Sequence, residues 1–212
     1  MRLVAFDFDD TLATGEMTIL LGERSNAADE IARVTEQAMA GEIDYEQSVR
    51  DRVAALEGLT IDEMEAAFSK VELRPGAAAL LEALDEAGII IAILTGGFRR
   101  GVDMALEQAG VSVDVVIANE LGIDSGRLTG EVTGPLVQGD KGPTFRQIAV
   151  DHSIRLEETV AVGDGANDLE MLEIAGLAIG MDPKPIVRPA CDLVVYSMDE
   201  LMGVFRERKL LP

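Results

Sequence analysis

The sequence predicts an α/β fold, a doubly wound parallel sheet with an inserted helical unit and a small β-hairpin. Three observations carry this. Short apolar runs recur at Leu3 to Phe6, Ile89 to Leu94, Val113 to Ala118, Thr159 to Val162, Leu177 to Ile179 and Leu193 to Val195, bounded by glycine or acidic residues as buried strands are. Helix-spaced apolar residues lie between most of these runs, and alternation of that kind builds a parallel sheet. One stretch, Arg24 to Lys70, breaks the alternation, having no good strand.

Taken in order, the first run opens the sheet and ends in Phe6-Asp7-Phe8-Asp9-Asp10-Thr11. The interrupting stretch holds three helical patterns, marked by Ile31, Val34 and Ala38, by Val49, Val53 and Leu56, and by Met64, Ala67 and Phe68. Arg74-Pro75-Gly76 signals the return to the sheet, because proline suits the first turn of a helix. Ala77, Leu80, Leu81 and Leu84 then mark a helix ending at Gly88, and Met104, Ala105, Gln108 and Ala109 one ending at Gly110, both glycines standing where a C-cap belongs. Within 119–137, Asp124-Ser125-Gly126 separates Leu121 and Ile123 from Leu128 and Val132, the signature of a hairpin. The expected division is a core of residues 1–14 and 72–212, with residues 15–71 inserted as a helical cap. Gly15 and Glu72 to Gly76 are the expected hinges of a lid.

Composition excludes several classes. A chain of 212 residues with one cysteine can bury an adequate core without disulfide or metal staples, so any metal is expected to do chemistry. The 39 acidic against 18 basic residues leave a formal charge of −21, which repels nucleic acid and anionic lipid, and neither is an expected partner. Hydrophobic content of 48% excludes a disordered acidic chain. Only Lys70, Lys141, Lys184 and Lys209 are lysines. This acidic, lysine-poor balance suits a cytoplasm of very high salt, where the Debye length shrinks to about 3 Å. The N-terminus lacks a signal-peptide pattern, no apolar run reaches the roughly 18 residues of a membrane span, and a cytoplasmic location is expected. Monomer and homodimer both remain open.

The residues able to do chemistry gather at predicted strand ends. Asp7 and Asp9 stand two apart after the first strand, and such crowding calls for a cation between them, for protonation of one, or for a turn in which both merely accept backbone N–H bonds. Gly163-Asp164-Gly165-Ala166-Asn167-Asp168 follows a second buried strand, and its glycines let backbone approach a ligand at a helix start. Asp164 could complete an oxygen shell with Asp7, a donor set that favours magnesium. Thr95-Gly96-Gly97 supplies a hydroxyl and unhindered amides at a third strand end, which suits phosphate oxygens; the plain alternative is a glycine-rich strand-to-helix turn. Lys141, before a helix starting near Pro143, could neutralise phosphate.

This ordered set resembles the haloacid dehalogenase superfamily of phosphohydrolases along the whole chain. The resemblance implies a Rossmann-like core, with Asp7 as the nucleophile that takes the phosphoryl group and Asp9 as general acid and base. It implies that Thr95, Gly96, Lys141 and Asn167 hold phosphate. It also implies Mg²⁺ bound by the Asp7 and Asp164 carboxylates and the Asp9 backbone carbonyl, with Asp168 behind them. Within that superfamily the chain resembles the phosphoserine phosphatases. Glu16 follows Asp9 by seven residues, and Asp44 to Val53 resembles that family's cap helix, in which Arg52 would grip the substrate carboxylate and Tyr45 stands where phenylalanine is usual. Thr95 likewise replaces a usual serine. On a helix Tyr45, Val49, Arg52 and Leu56 share a face, whereas Arg50 is turned about 200° away from Arg52. The implied substrate is a small phosphomonoester, O-phosphoserine, whose ammonium, carboxylate and phosphate ask for an anion, a fork donor and a metal. Phosphothreonine, phosphohomoserine, or a non-catalytic metal-binding module are the competing readings.

Overall fold

The computed structural model describes residues 1–39, 42–139 and 141–212. Those residues place seven strands in one sheet of order β4-β3-β2-β1-β5-β6-β7. The strands are β1 (Leu3–Phe6), β2 (Ile90–Phe98), β3 (Val115–Asp124), β4 (Arg127–Thr133), β5 (Thr159–Gly163), β6 (Leu177–Met181) and β7 (Leu193–Val195). All neighbours pair in parallel except β3 with β4. The period of two along a strand sorts the core into two layers. Val4 and Phe6 face the layer of α5 (Ala77–Glu86), α6 (Arg99–Ala109) and α9 (Met198–Glu207), whereas Leu3 and Ala5 face that of α7 (Lys141–Asp151) and α8 (Leu169–Ile174). β1 is thus buried on both sides, and its unbroken apolar run follows from that.

Strand order reverses at β1, which lies between β2 and β5. In an open α/β sheet the crevice beyond the carboxyl end of such a strand is where ligands bind. Asp7 is the next residue, and its N–H donates to the Val162 carbonyl at 2.9 Å.

Among the described residues, four α-helices run between β1 and α5: α1 (Met17–Ser25), α2 (Ala28–Met39), α3 (Tyr45–Ala54) and α4 (Ile61–Phe68). The last three match the predicted patterns, but α1 was not foreseen. Its Met17-Thr18-Ile19-Leu20-Leu21 is nearly continuous in apolarity and carries no clear period, and the helix rests on packing against α4. Local signals place α3 and α4. Asp44 caps α3 by accepting from the Gln47 N–H at 2.8 Å. Thr60 and Glu63 form a capping box at the start of α4.

Three further elements differ from expectation. The strand at 113–118 and the first hairpin strand are one element, β3, which pairs with β2 in its first half and β4 in its second. β2 continues through Thr95-Gly96-Gly97 to Phe98, with a register shift after Leu94, so this segment is the irregular end of a strand rather than a turn beyond it. α7 starts at Lys141 itself. The hairpin turn at Ser125 and Gly126 has positive φ of 48° and 80°, which the twist of a two-residue connection requires.

The hairpin also ties down the helices. Gly58 N–H donates to the Leu128 carbonyl at 2.9 Å, Leu128 N–H to Leu59 at 2.8 Å, and Ile61 N–H to Gly126 at 3.1 Å. At their base, Ala13 bridges Leu73, and Arg74 N–H donates to the Leu12 carbonyl at 2.7 Å. Among the described residues no helix is long and apolar enough to cross a membrane.

Candidate active site

Beyond the carboxyl ends of β1, β2 and β5 lies a cavity of about 120 Å³. The sheet contributes Asp7, Asp9, Thr95, Gly96, Asp164 and Asn167 to its walls, and the inserted helices contribute Glu16, Tyr45 and Arg52. Two of the expected site residues, Lys141 and Asp168, lie beneath this floor and are fully buried.

Asp168 organises the floor. Its Oδ1 accepts from Lys141 Nζ at 2.6 Å, and its Oδ2 accepts the N–H groups of Asp164 and Gly165, each at 2.9 Å. The fit needs glycine at 163, where a Cβ would stand 2.5 Å from the Asp168 carboxyl carbon. Lys141 Nζ also donates to Asp7 Oδ1 at 2.5 Å. Burial works against the Lys141 charge, but Asp168 and Asp7 outweigh it and hold the ammonium above the usual lysine range. It remains a cation.

Oxygen atoms of Asp7, Asp164 and Asp168 lie within 4.8 Å of one another. Burial foremost, then the neighbouring Asp168, pushes the Asp7 carboxyl well above its ordinary range. Burial likewise raises Asp164. Hard carboxylate oxygens gathered at that cost are the donor chemistry a divalent cation satisfies. Asp168 bonds Lys141 and the two amides, Asp7 bonds Lys141, and Asp164 accepts from Thr11 Oγ1 at 3.3 Å and pairs with Lys184, so any of the three carboxylates that held an ion would share its oxygens with these partners.

Asp9 points away from this cluster. The turn 8–12 leaves the helical region at Asp9 and puts Asp10 at φ 57°, a left-handed conformation that aspartate tolerates. Asp9 Oδ1 accepts the Met17 N–H at 3.4 Å, and a Cβ on Gly97 would fall 2.6 Å from Oδ2. Its carboxyl is pushed up to about 7, chiefly by burial and next by Glu16. Thr95 Oγ1 accepts from Gly97 N–H at 2.9 Å, leaving its own hydrogen free to donate. Asn119, fully buried, donates from Nδ2 to the Gly96 carbonyl at 3.0 Å and fixes the same segment.

Across the cavity Arg52 approaches Glu16, with Nη1 to Oε2 at 3.5 Å. Arg50 instead pairs with Glu46 at 2.7 Å, as its position on the other face of α3 requires.

Sequence reasoning missed Thr18, Lys184 and Asn119. Lys184 lines the cavity and pairs with Asp164 Oδ2 at 3.0 Å. The scarcity of lysine that drew attention to Lys141 applied equally to Lys184, between Pro183 and Pro185. Thr18 belongs to the unforeseen α1. Asn119 had no signal, since its role lies in where β3 passes β2.

The fold and this floor of carboxylates and lysine define a class. Residues 4–173 match the family of haloacid dehalogenase-like hydrolases, and the chain belongs to that family. Among its relatives, the phosphoserine phosphatase of Halobacterium salinarum, a halophile, is 46% identical over 95% of each chain. That of Methanocaldococcus jannaschii is 36% identical over 93% of each. A solved structure described as a phospho-aspartyl intermediate analogue of phosphoserine phosphatase superposes with a TM-score of 0.88 at 35% identity, covering 96% of this chain and 98% of that one. A substrate-bound phosphoserine phosphatase complex gives 0.88 at 34% identity, covering 96% and 97%.

Proposed function

We propose that the chain is a Mg²⁺-dependent phosphatase that hydrolyses O-phospho-L-serine to serine and phosphate, the last step of serine biosynthesis, in the cytoplasm. In this reading a carboxylate oxygen of Asp7 bonds to phosphorus as the ester P–O bond breaks, and Asp9 gives its proton to the departing serine oxygen. Water then adds to phosphorus, Asp9 takes the proton back, and the bond to Asp7 breaks to release phosphate. A carboxyl held near neutrality suits both proton transfers. The Asp7 and Asp164 carboxylates, with the Asp9 main-chain carbonyl, would hold Mg²⁺, which supplies charge neutralisation at the phosphoryl oxygens. Lys141 and the Thr95 hydroxyl add fixed positive charge and a donor, and Asn167 lines the same wall. Phosphoryl transfer depends mainly on such positioning and neutralisation.

The observation that carries the choice of substrate is the Glu16 and Arg52 pair, two opposite charges in contact at 3.5 Å that both line the cavity holding Asp7. An amino-acid zwitterion entering there exchanges one ion pair for two, its ammonium on Glu16 and its carboxylate on Arg52. Residues 15–71 would then act as a cap, with Gly15 and residues 72–76 as hinges. The test compares Arg52→Ala with the parent on phosphoserine and on p-nitrophenyl phosphate. A charge-assisted pair of hydrogen bonds corresponds to about 30-fold or more in KM for phosphoserine, with p-nitrophenyl phosphate changed about threefold or less. Equal effects on both substrates refute the amino-acid clamp.

A further inference from the structure

We propose that the Tyr45 hydroxyl donates a hydrogen bond to a phosphoryl oxygen of the bound ester, so that α3 recognises phosphate at its first residue as well as the amino acid through Arg52. This rests on the phosphatase reading above. The ring is clamped between two backbone segments. A Cβ on Gly139 would stand 2.9 Å from Tyr45 Cδ1, and a Cβ on Gly96 would collide with the hydroxyl itself. The hydroxyl therefore lies over the Gly96 backbone, beside Thr95, on the cavity wall. Among the described residues it has no hydrogen-bond partner, and Tyr45 lines the cavity.

Tyr45 shares the cavity lining with Asp7, Thr95 and Arg52. Burial holds the phenol above its usual range, so it stays a donor. Tyr45 precedes Arg52 by seven residues, about 10 Å along the helix axis. The hydroxyl therefore serves the phosphate end of the cavity, while Arg52 serves the other.

The test is Tyr45→Phe, which removes one oxygen and keeps the packing of the ring. Orthovanadate affinity is measured by calorimetry with saturating Mg²⁺, alongside kcat/KM for phosphoserine and p-nitrophenyl phosphate. A lost hydrogen bond to an anion predicts a vanadate Kd raised about tenfold and kcat/KM lowered by a similar factor on both esters. A vanadate change under threefold, no vanadate binding to the parent protein, or a loss confined to phosphoserine overturns the assignment. If the parent protein ignores phosphoserine, the substrate reading fails, while vanadate and p-nitrophenyl phosphate still decide the role of the hydroxyl.

Discussion

Replacing Asp168 by asparagine perturbs the floor of the site at one atom. The carboxylate, fully buried, accepts from Lys141 at 2.6 Å and from two amides at 2.9 Å. A carboxamide oxygen can keep the two amide bonds, though as neutral contacts of about 1 kcal/mol each instead of roughly twice that. Its NH₂ group must then face an ammonium, and Lys141 loses one of its two anions. Breaking one side of a buried ion pair costs about 3–5 kcal/mol. The retained bonds place Asp168→Asn near the lower end of that range and Asp168→Ala near the upper. At about 2–4 °C per kcal/mol for a chain of this size, the melting temperature should fall by about 6–12 °C for asparagine and more for alanine. Differential scanning fluorimetry in molar KCl, with divalent ions chelated, measures this directly. An asparagine variant melting within about 2 °C of the parent refutes the claim that Asp168 anchors Lys141.

Two further outcomes follow from the charges. Asp9 has a folded-state value raised from 3.8 to about 7, so the native state takes up a proton that the unfolded chain gives off. Stability from this group therefore falls as pH rises through that window and levels off above it. For the chelated protein, the melting temperature of the parent should drop more than that of Asp9→Asn between pH 5 and 8, and parallel curves contradict the raised value. With a formal charge of −21, the protein should also lose stability as KCl is lowered from molar to about 50 mM, where the Debye length exceeds 10 Å and self-repulsion returns. Calorimetry across that series checks it, and an unchanged midpoint rules out screening as a stabiliser.

The sheet was legible because β1, β5 and β6 are buried on both faces and so leave nearly unbroken apolar runs that end at glycine or an acidic residue. The placement of Asp7, Thr95 and Asp164 at one edge followed from the same alternation, since parallel strands all end on the same side. α1 was not legible, because five nearly continuous apolar residues fit strand and helix alike. The continuity of β3 was hidden for a different reason. Its first half has a parallel partner and its second an antiparallel one, and nothing local to Ala118 and Asn119 announces a change of neighbour. Lys184 and Asn119 owe their places to loops and crossings, so periodicity could not assign them.

The backbone bonds from Gly58, Leu59 and Ile61 to the hairpin have a consequence for engineering. β4 is the outermost strand of its sheet, and these bonds, with α3 packed beside Gly130 and Val132, cover it. Excising the four helices to make a minimal scaffold would strip that cover and present unpaired amides and carbonyls to any passing chain. Such an exposed border recruits other strands. A shortened version should retain the 58–61 segment or carry a charged or proline replacement along β4 to remain free of fibrils.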